Sequence, residues 1–159
     1  MKYLVTLIIA LCLVSATQAQ TRIILVRHAE KQVGDNPGLT AEGIERAETL
    51  SHTLSGMSIN ALYSTSYART LQTLKPLSVR TKLQVQEYAP FNKEEIEQII
   101  EKHKDQIIVF SGHSNTIPAI LNFLTGKDNY KTFPEWQYDD LHIVTIHDSA
   151  SAVDVLPLK

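Results

Sequence analysis

The sequence predicts an α/β domain, a three-layer sandwich with helices on both faces of a mostly parallel central sheet. Three observations predict it. The stretch Ile23-Ile24-Leu25-Val26 is unbroken and mostly β-branched, the composition of a strand buried on both faces. A second buried run, Ile107-Ile108-Val109-Phe110, recurs late in the chain. Between and after these runs, short apolar stretches alternate with amphipathic ones, the pattern of strands joined by crossover helices. Both buried runs stop in polar residues, one in Arg27-His28 and the other in Ser111-Gly112-His113. Ligands in open α/β sheets bind beyond the carboxyl ends of the strands. Two histidines therefore arrive at one edge.

The first residues stand apart from this pattern. Lys2 supplies a positive start, residues 4–14 are almost unbroken apolar sequence, and Thr17-Gln18-Ala19 offers a cleavage site before Gln20. This reads as a signal peptide over residues 1–19, with the folded domain over residues 20–159. The apolar run is shorter than the roughly 20 residues that span a bilayer, so no stable membrane anchor is expected after cleavage. The expected location is extracytoplasmic, periplasmic or secreted. Cys12, the one cysteine, leaves with the peptide, and with it any disulfide, thiol nucleophile or thiolate metal site. Without Lys2, 14 Lys and Arg face 17 Asp and Glu, a formal charge of −3. That balance offers no basic surface for nucleic acid. No repeat, low-complexity tract or linker divides the remainder, which fits one domain with one core.

In chain order, the first strand leads into Gly34-Asp35-Asn36-Pro37-Gly38, a loop by composition. Thr40 caps a helix with Ile44, Ala47, Leu50 and Leu54 on one face and Gly56 as its C′ residue. Ala61-Leu62-Tyr63 is a short strand. Ser64-Thr65-Ser66 leads into a helix that begins near Tyr67, carries Arg69 in its first turn and ends around Lys75-Pro76. Leu83-Gln84-Val85-Gln86 forms a further strand that stops at Glu87. Asn92 and Glu95 make a capping box for a helix through His103, with Ile96, Ile99 and Ile100 inward. The second buried strand follows, then a helix from Asn115 to Leu124 with Pro118 in its first turn. Residues 141–147 and 152–156 are two late strands.

One sheet edge thus collects Arg27, His28, Arg69, Glu87 and His113. Two guanidiniums and two imidazoles suit a dianionic phosphoryl group, because each guanidinium forks onto phosphate oxygens and cannot be titrated away. Arg69 also lies near a helix N-terminus, where free N–H groups favour an anion. The competing chemistry is a metal. Two histidines make a poor zinc site and adjacent arginines repel a cation, so no metal and no other cofactor is expected. His52, His103, His142 and His147 fall outside this pattern and read as solvated or strand-end histidines. Trp136 and Tyr138, in the connection over residues 127–140, serve either a substrate rim or core packing. Lys31 reaches a substrate anion or is simply solvated.

Leu25-Val26-Arg27-His28-Ala29-Glu30 resembles the "RHG" motif of the histidine phosphatase superfamily, also called phosphoglycerate mutase-like. The resemblance continues through Leu39-Thr40-Ala41-Glu42-Gly43, then the segment from Tyr63 to Thr73, then Ser111-Gly112-His113-Ser114. It implies that His28 is the nucleophile, that Arg27 and Arg69 bind the phosphoryl oxygens, and that His113 completes the pocket. It implies the same α/β sandwich as well. Ala29 stands where the motif has glycine, and Ser114 follows His113 where the acid phosphatase branch has aspartate. The second departure places the chain in the first branch, and its compactness resembles the smallest, here exported, members. Glu87 holds the place of a glutamate that supplies the leaving-group proton in many of that branch. The alternative for Glu87 is a solvated strand-end carboxylate.

The expected function is an exported phosphomonoesterase acting through a phosphohistidine on His28. A neutral His28 attacks, Arg27, Arg69 and a protonated His113 hold the phosphoryl oxygens, and Glu87 gives the proton if burial raises its pKa. The expected partner is a phosphorylated small molecule or cell-envelope substrate. The other readings are a phosphate-binding module without turnover, a phosphohistidine phosphatase, and a phosphoglycerate mutase-type phosphotransferase. Oligomeric state has no signal in the sequence.

Overall fold

The computed structural model describes residues 20–147 and 150–158, so the expected signal peptide lies outside the described residues. Ten elements follow in order: β1 (Thr21–Arg27), α1 (Ala41–Thr53), β2 (Ile59–Ser64), α2 (Ala68–Thr81), β3 (Val85–Glu87), α3 (Lys93–Lys102), β4 (Ile107–Gly112), α4 (Thr116–Thr125), β5 (Asp140–His147) and β6 (Ala150–Pro157). The strands form one sheet in the order β3-β2-β4-β1-β5-β6. β1 pairs in parallel with β4, β4 with β2 and β2 with β3, whereas β5 lies antiparallel to β1 and β6 antiparallel to β5. The two late strands are thus a hairpin on the flank of a parallel core.

Alternation along β1 shows why its apolar run is unbroken. Ile23 and Leu25 enter one core with Ile96 and Ile99 of α3 and Ile117, Ile120 and Leu121 of α4. Ile24 and Val26 enter the other with Leu50 of α1, Leu54, and Leu74 and Leu77 of α2. Successive side chains point to opposite faces of a strand, and here both faces are covered. The result is the expected three-layer sandwich.

Four local expectations are corrected. Ile44 is 55% exposed, and the inward face of α1 is carried by Gly43, Ala47, Leu50 and Ser51. A Cβ on Gly43 would lie 2.2 Å from the Glu30 carbonyl oxygen, so the helix approaches the exit of β1 through a residue without a side chain. α1 also ends without Gly56: Leu54 is the cap, and Ser55 and Met57 continue with tight turns onto His52 and Leu54 carbonyls at 3.0 and 3.1 Å. α2 runs past Pro76 to Thr81 and stops at Lys82 in the left-handed region, φ 59°. Proline forfeits one backbone hydrogen bond there, and burial of Leu74 and Leu77 on either side of it holds the helix together. At α3, Asn92 accepts from Glu95 N as a cap should, but the Glu95 carboxylate turns to Ala89 N instead of closing the box.

Register sets the working edge. Arg27 of β1 pairs with Gly112 of β4, Ser64 of β2 with Ser111, and Glu87 of β3 with Ser64. Four parallel strands therefore end together. The connection from α4 to β5 returns across this edge, pinned by Phe133 N donating to Ser114 O at 2.9 Å.

Candidate active site

The parallel ladder runs one residue beyond β1, with His28 N donating to Gly112 O at 2.9 Å. That bond sets His28 beside His113, their ring centroids 5.4 Å apart and their planes at 65°. His28 Nδ1 lies 2.8 Å from Ala29 O. A carbonyl only accepts, so Nδ1 carries the proton and Nε2 keeps the lone pair. Burial pushes the His28 pKa from its ordinary 6.5 down to about 3, and the charges of Arg69 and Arg27 add to the depression. The ring is neutral at pH 7 with its nucleophilic nitrogen free. Ala29 N donates to Thr73 Oγ1 at 3.0 Å, and that hydroxyl donates to Arg69 O at 2.8 Å, which ties the strand exit to α2. The neighbouring Glu30 is locked onto Arg46 of α1, whose Nε lies 2.8 and 2.9 Å from the two carboxylate oxygens.

His113 follows β4 and opens the turn into α4, its N–H donating to Thr116 Oγ1 at 2.7 Å. Arg69 Nη2 lies 3.2 Å from Nδ1, and Thr65 Oγ1 lies 2.9 Å from Nε2. Guanidinium only donates, so Nδ1 accepts and Nε2–H points at Thr65. Burial pushes the His113 pKa down to about 4, helped by Arg69 and Arg27. The expectation of a protonated His113 is therefore corrected for the site as it stands. Burial and the two guanidiniums keep it neutral until an anion offsets their field.

Arg27 is 4% exposed and does two jobs. Its Nη1 donates to Pro134 O at 2.6 Å and to Gln137 O at 3.1 Å, its Nη2 lies 3.3 Å from Glu135 Oε2, and its Cζ sits 4.3 Å from the centre of the Tyr138 ring. Arg69 stacks in the same way over Tyr67 at 4.5 Å. The Nε atoms of both arginines are buried, and neither has a hydrogen-bond partner among the described residues. A buried donor on a permanent cation is costly unless an acceptor meets it. Two such donors beside a neutral, oriented imidazole make a seat for a small, strongly charged oxyanion.

This seat opens into a cleft of about 950 Å³ lined also by Lys31, Tyr67, Glu87, Phe91, Glu95 and Glu135. The structure therefore brings all five residues of the expected edge together. Glu87 differs from its expectation in one respect: it is exposed, so burial does not prepare it as an acid. Its carboxylate stands at the end of a three-residue strand, with only one neighbouring strand to shield it. The sequence reading missed Thr65, Thr73 and the hold of Arg27 on the carbonyls of Pro134 and Gln137. The two threonines lie inside the quoted 63–73 segment, but nothing there marks which hydroxyls turn inward. Of the two aromatic residues in the 127–140 connection, Tyr138 stacks on Arg27, whereas Trp136 is 78% exposed and packs no core. His142, read as solvated or strand-end, is buried within β5 and stacked on Phe133, because that connection folds over it. His103 bonds Tyr63 and Gln106 on the flank of the sheet, and His52 is exposed.

The family model described as "Histidine phosphatase superfamily (branch 1)" matches residues 23–92. Over this stretch the chain resembles that superfamily. No curated protein matches it. Solved phosphatase structures do. A mycobacterial glucosyl-3-phosphoglycerate phosphatase superposes with a TM-score of 0.74 at 12% identity, over 87% of this chain and 99% of that one. An α-ribazole phosphatase from Shigella flexneri gives 0.70 at 17%, over 86% and 96%. A phosphoserine phosphatase mutant from Entamoeba histolytica, in complex with phosphoserine, gives 0.69 at 14%, over 84% and 94%. At these identities the likeness is one of fold, over 84–87% of this chain.

Proposed function

We propose that this chain is a member of the histidine phosphatase superfamily, an exported phosphomonoesterase that works through a phosphohistidine on His28. The observation that carries the reading is the pairing of a neutral His28, its proton fixed on Nδ1, with the unpartnered Nε donors of Arg27 and Arg69. A binder of phosphate has no use for a free imidazole lone pair aimed into the same seat.

Chemistry follows from the charges. Phosphoryl oxygens take the free edges of the two guanidiniums, and the dianion draws a proton onto His113, which becomes a third donor. The Nε2 lone pair of His28 forms the N–P bond as the ester P–O bond breaks. The leaving oxygen takes a proton from Glu87. Water then attacks phosphorus, its proton passes to the Glu87 carboxylate, and the N–P electron pair returns to His28. Export is proposed from the leader over residues 1–19. The amino-terminal residue of protein recovered outside the cytoplasm tests it.

The test of the chemistry is a rapid quench with ³²P-labelled phosphomonoester. An acid-labile, base-stable label on the protein, absent in His28→Ala, is the expected result. Turnover in His28→Ala should fall by at least about 10⁴-fold, the scale of a lost nucleophile. Equal labelling of both proteins overturns the assignment.

A further inference from the structure

The seat is cationic but the cleft around it is not. Besides Arg27 and Arg69, the charged lining consists of Lys31 against Glu87, Glu95 and Glu135. A bound phosphoryl dianion uses the two guanidinium charges. With Glu87 holding the leaving-group proton and the His113 imidazolium set against the phosphoryl oxygens, the rim beyond the seat carries Lys31 against Glu95 and Glu135.

Glu135 is the best placed of these. It occupies the tight turn 134–137, closed by Gln137 N donating to Pro134 O at 3.1 Å, and Arg27 Nη1 holds both carbonyls of that turn. Its carboxylate is 83% exposed and lies 3.3 Å from Arg27 Nη2, on the same guanidinium that presents the unpartnered, buried Nε. A phosphoryl group that takes the Nε–Nη2 edge of Arg27 must meet Glu135 there. Any charge on the ester's alcohol is then felt across a short, solvent-lined gap.

We propose that this cleft sorts phosphate monoesters by the charge of the alcohol, favouring a cationic alcohol over a neutral one and disfavouring a carboxylated one, with Glu135 the principal residue that enforces the order. The inference rests on the phosphomonoesterase reading of the same site and names its substrate class. Exposed unit charges a few ångströms apart change an equilibrium by roughly 5-fold, and salt screens them.

Three nearly isosteric esters test it: O-phosphoethanolamine, propyl phosphate and 2-phosphoglycolate, each assayed for kcat/KM at pH 7.5 and low salt. The expected order in the unaltered protein is cationic, neutral, carboxylated, with the first exceeding the last by about 10-fold or more. Glu135→Gln should shrink that ratio by roughly 5-fold, Glu135→Lys should shrink it further, and 0.5 M salt should compress it in all three proteins. Each ratio is taken within one preparation, so a general loss of turnover or folding cancels. A flat or inverted order in the unaltered protein overturns the proposal, as does a ratio that ignores both substitutions. If the labelled phosphoenzyme forms while the order is flat, only the charge selection fails. If no ester turns over and no phosphoenzyme forms, the phosphatase reading fails and takes this proposal with it.

Discussion

The floor of the cleft and its rim are made from different kinds of backbone. Arg27, His28 and His113 leave two adjacent parallel strands whose register is fixed by the ladder down to Gly112, and Arg69 stands in the first turn of a helix tied back to the same strand. Every one of these groups has its orientation over-determined by backbone bonds, stacking or burial. Glu87, Glu95 and Glu135 come from a three-residue edge strand, the first turn of a helix, and a turn in an irregular connection. The floor is placed by packing that the whole domain needs, so its geometry cannot drift without cost to the fold. The rim carries little of the core and is free to vary in charge. On this division the floor performs phosphoryl transfer and the rim decides which alcohol is presented to it.

Glu87 is where that division can break, and it carries the largest expected effect. A basic alkoxide needs a proton in the transition state, whereas nitrophenolate leaves unaided. If Glu87 supplies the proton, Glu87→Gln should slow propyl phosphate by about 10²–10⁴ and nitrophenyl phosphate far less. Equal, small losses would return Glu87 to the rim as a simple charge, and the proton would have to come from His113 or water.

The two arginines sharpen the comparison next. Loss of one preorganised donor to a transition-state oxyanion costs about 10²–10³ in rate. Arg69→Met should show that loss with little change in stability. Arg27→Met should show it together with a lower Tm, because Pro134 O and Gln137 O lose their donor and the 127–140 connection loses its anchor. Activity and thermal melts on both variants read the difference. Matching Tm values would mean that the connection is held without Arg27.

How much of this was legible in the sequence follows the same line. The floor could be read directly, because a run such as Ile23-Ile24-Leu25-Val26 ending in Arg-His states both its burial and its exit. The inward face of α1 could not be read as well: Ile44 has the right spacing, yet the helix turns Gly43 inward because closeness to the Glu30 carbonyl outweighs one more buried isoleucine. Pro76 looked like a stop, since its local cost is visible in sequence while the tertiary burial of Leu74 and Leu77 is not. Glu87 was placed at the correct edge, but its exposure depends on β3 lying at the end of the sheet, a fact of strand order. Arg27 was read as a phosphate ligand alone. Its partners lie more than a hundred residues away in a connection without periodicity.

Gly43 gives the third prediction. A Cβ at 2.2 Å from a backbone oxygen must displace α1 or the exit of β1. Gly43→Ala should cost about 2–4 kcal/mol and lower Tm by on the order of 10 °C. Gly56, which has open space around its Cβ position, is the control. Gly56→Ala should leave Tm within a degree or two. If Gly43→Ala is equally silent, the floor is less tightly braced against α1 than the geometry states.

The smallest effect is a pH dependence of stability carried by buried histidines. Burial depresses His28 to about 3, His113 to about 4, and lowers His142 as well, whereas each titrates near 6.5 in the unfolded chain. Between 6.5 and the folded values the unfolded state binds more protons, so this contribution is complete above pH 6.5 and is lost as the pH falls toward 4. For His28 and His113 the loss is on the order of 1 kcal/mol for each pH unit below 6.5, a few degrees of Tm. His142 separates this effect from catalysis, since it lies outside the cleft, stacks on Phe133 with planes 9° apart, and has a buried Nδ1 without a hydrogen-bond partner among the described residues. His142→Phe keeps a ring in that stack and removes the titration. Its Tm should therefore decline less steeply than that of the unaltered protein between pH 6.5 and 4.5, whatever its value at pH 7.5. Parallel slopes would assign the acid sensitivity to the histidines of the floor. A Tm that does not fall at all below pH 6.5 would mean that the fold admits protons to these rings without loss, against the burial that makes His28 a free nucleophile.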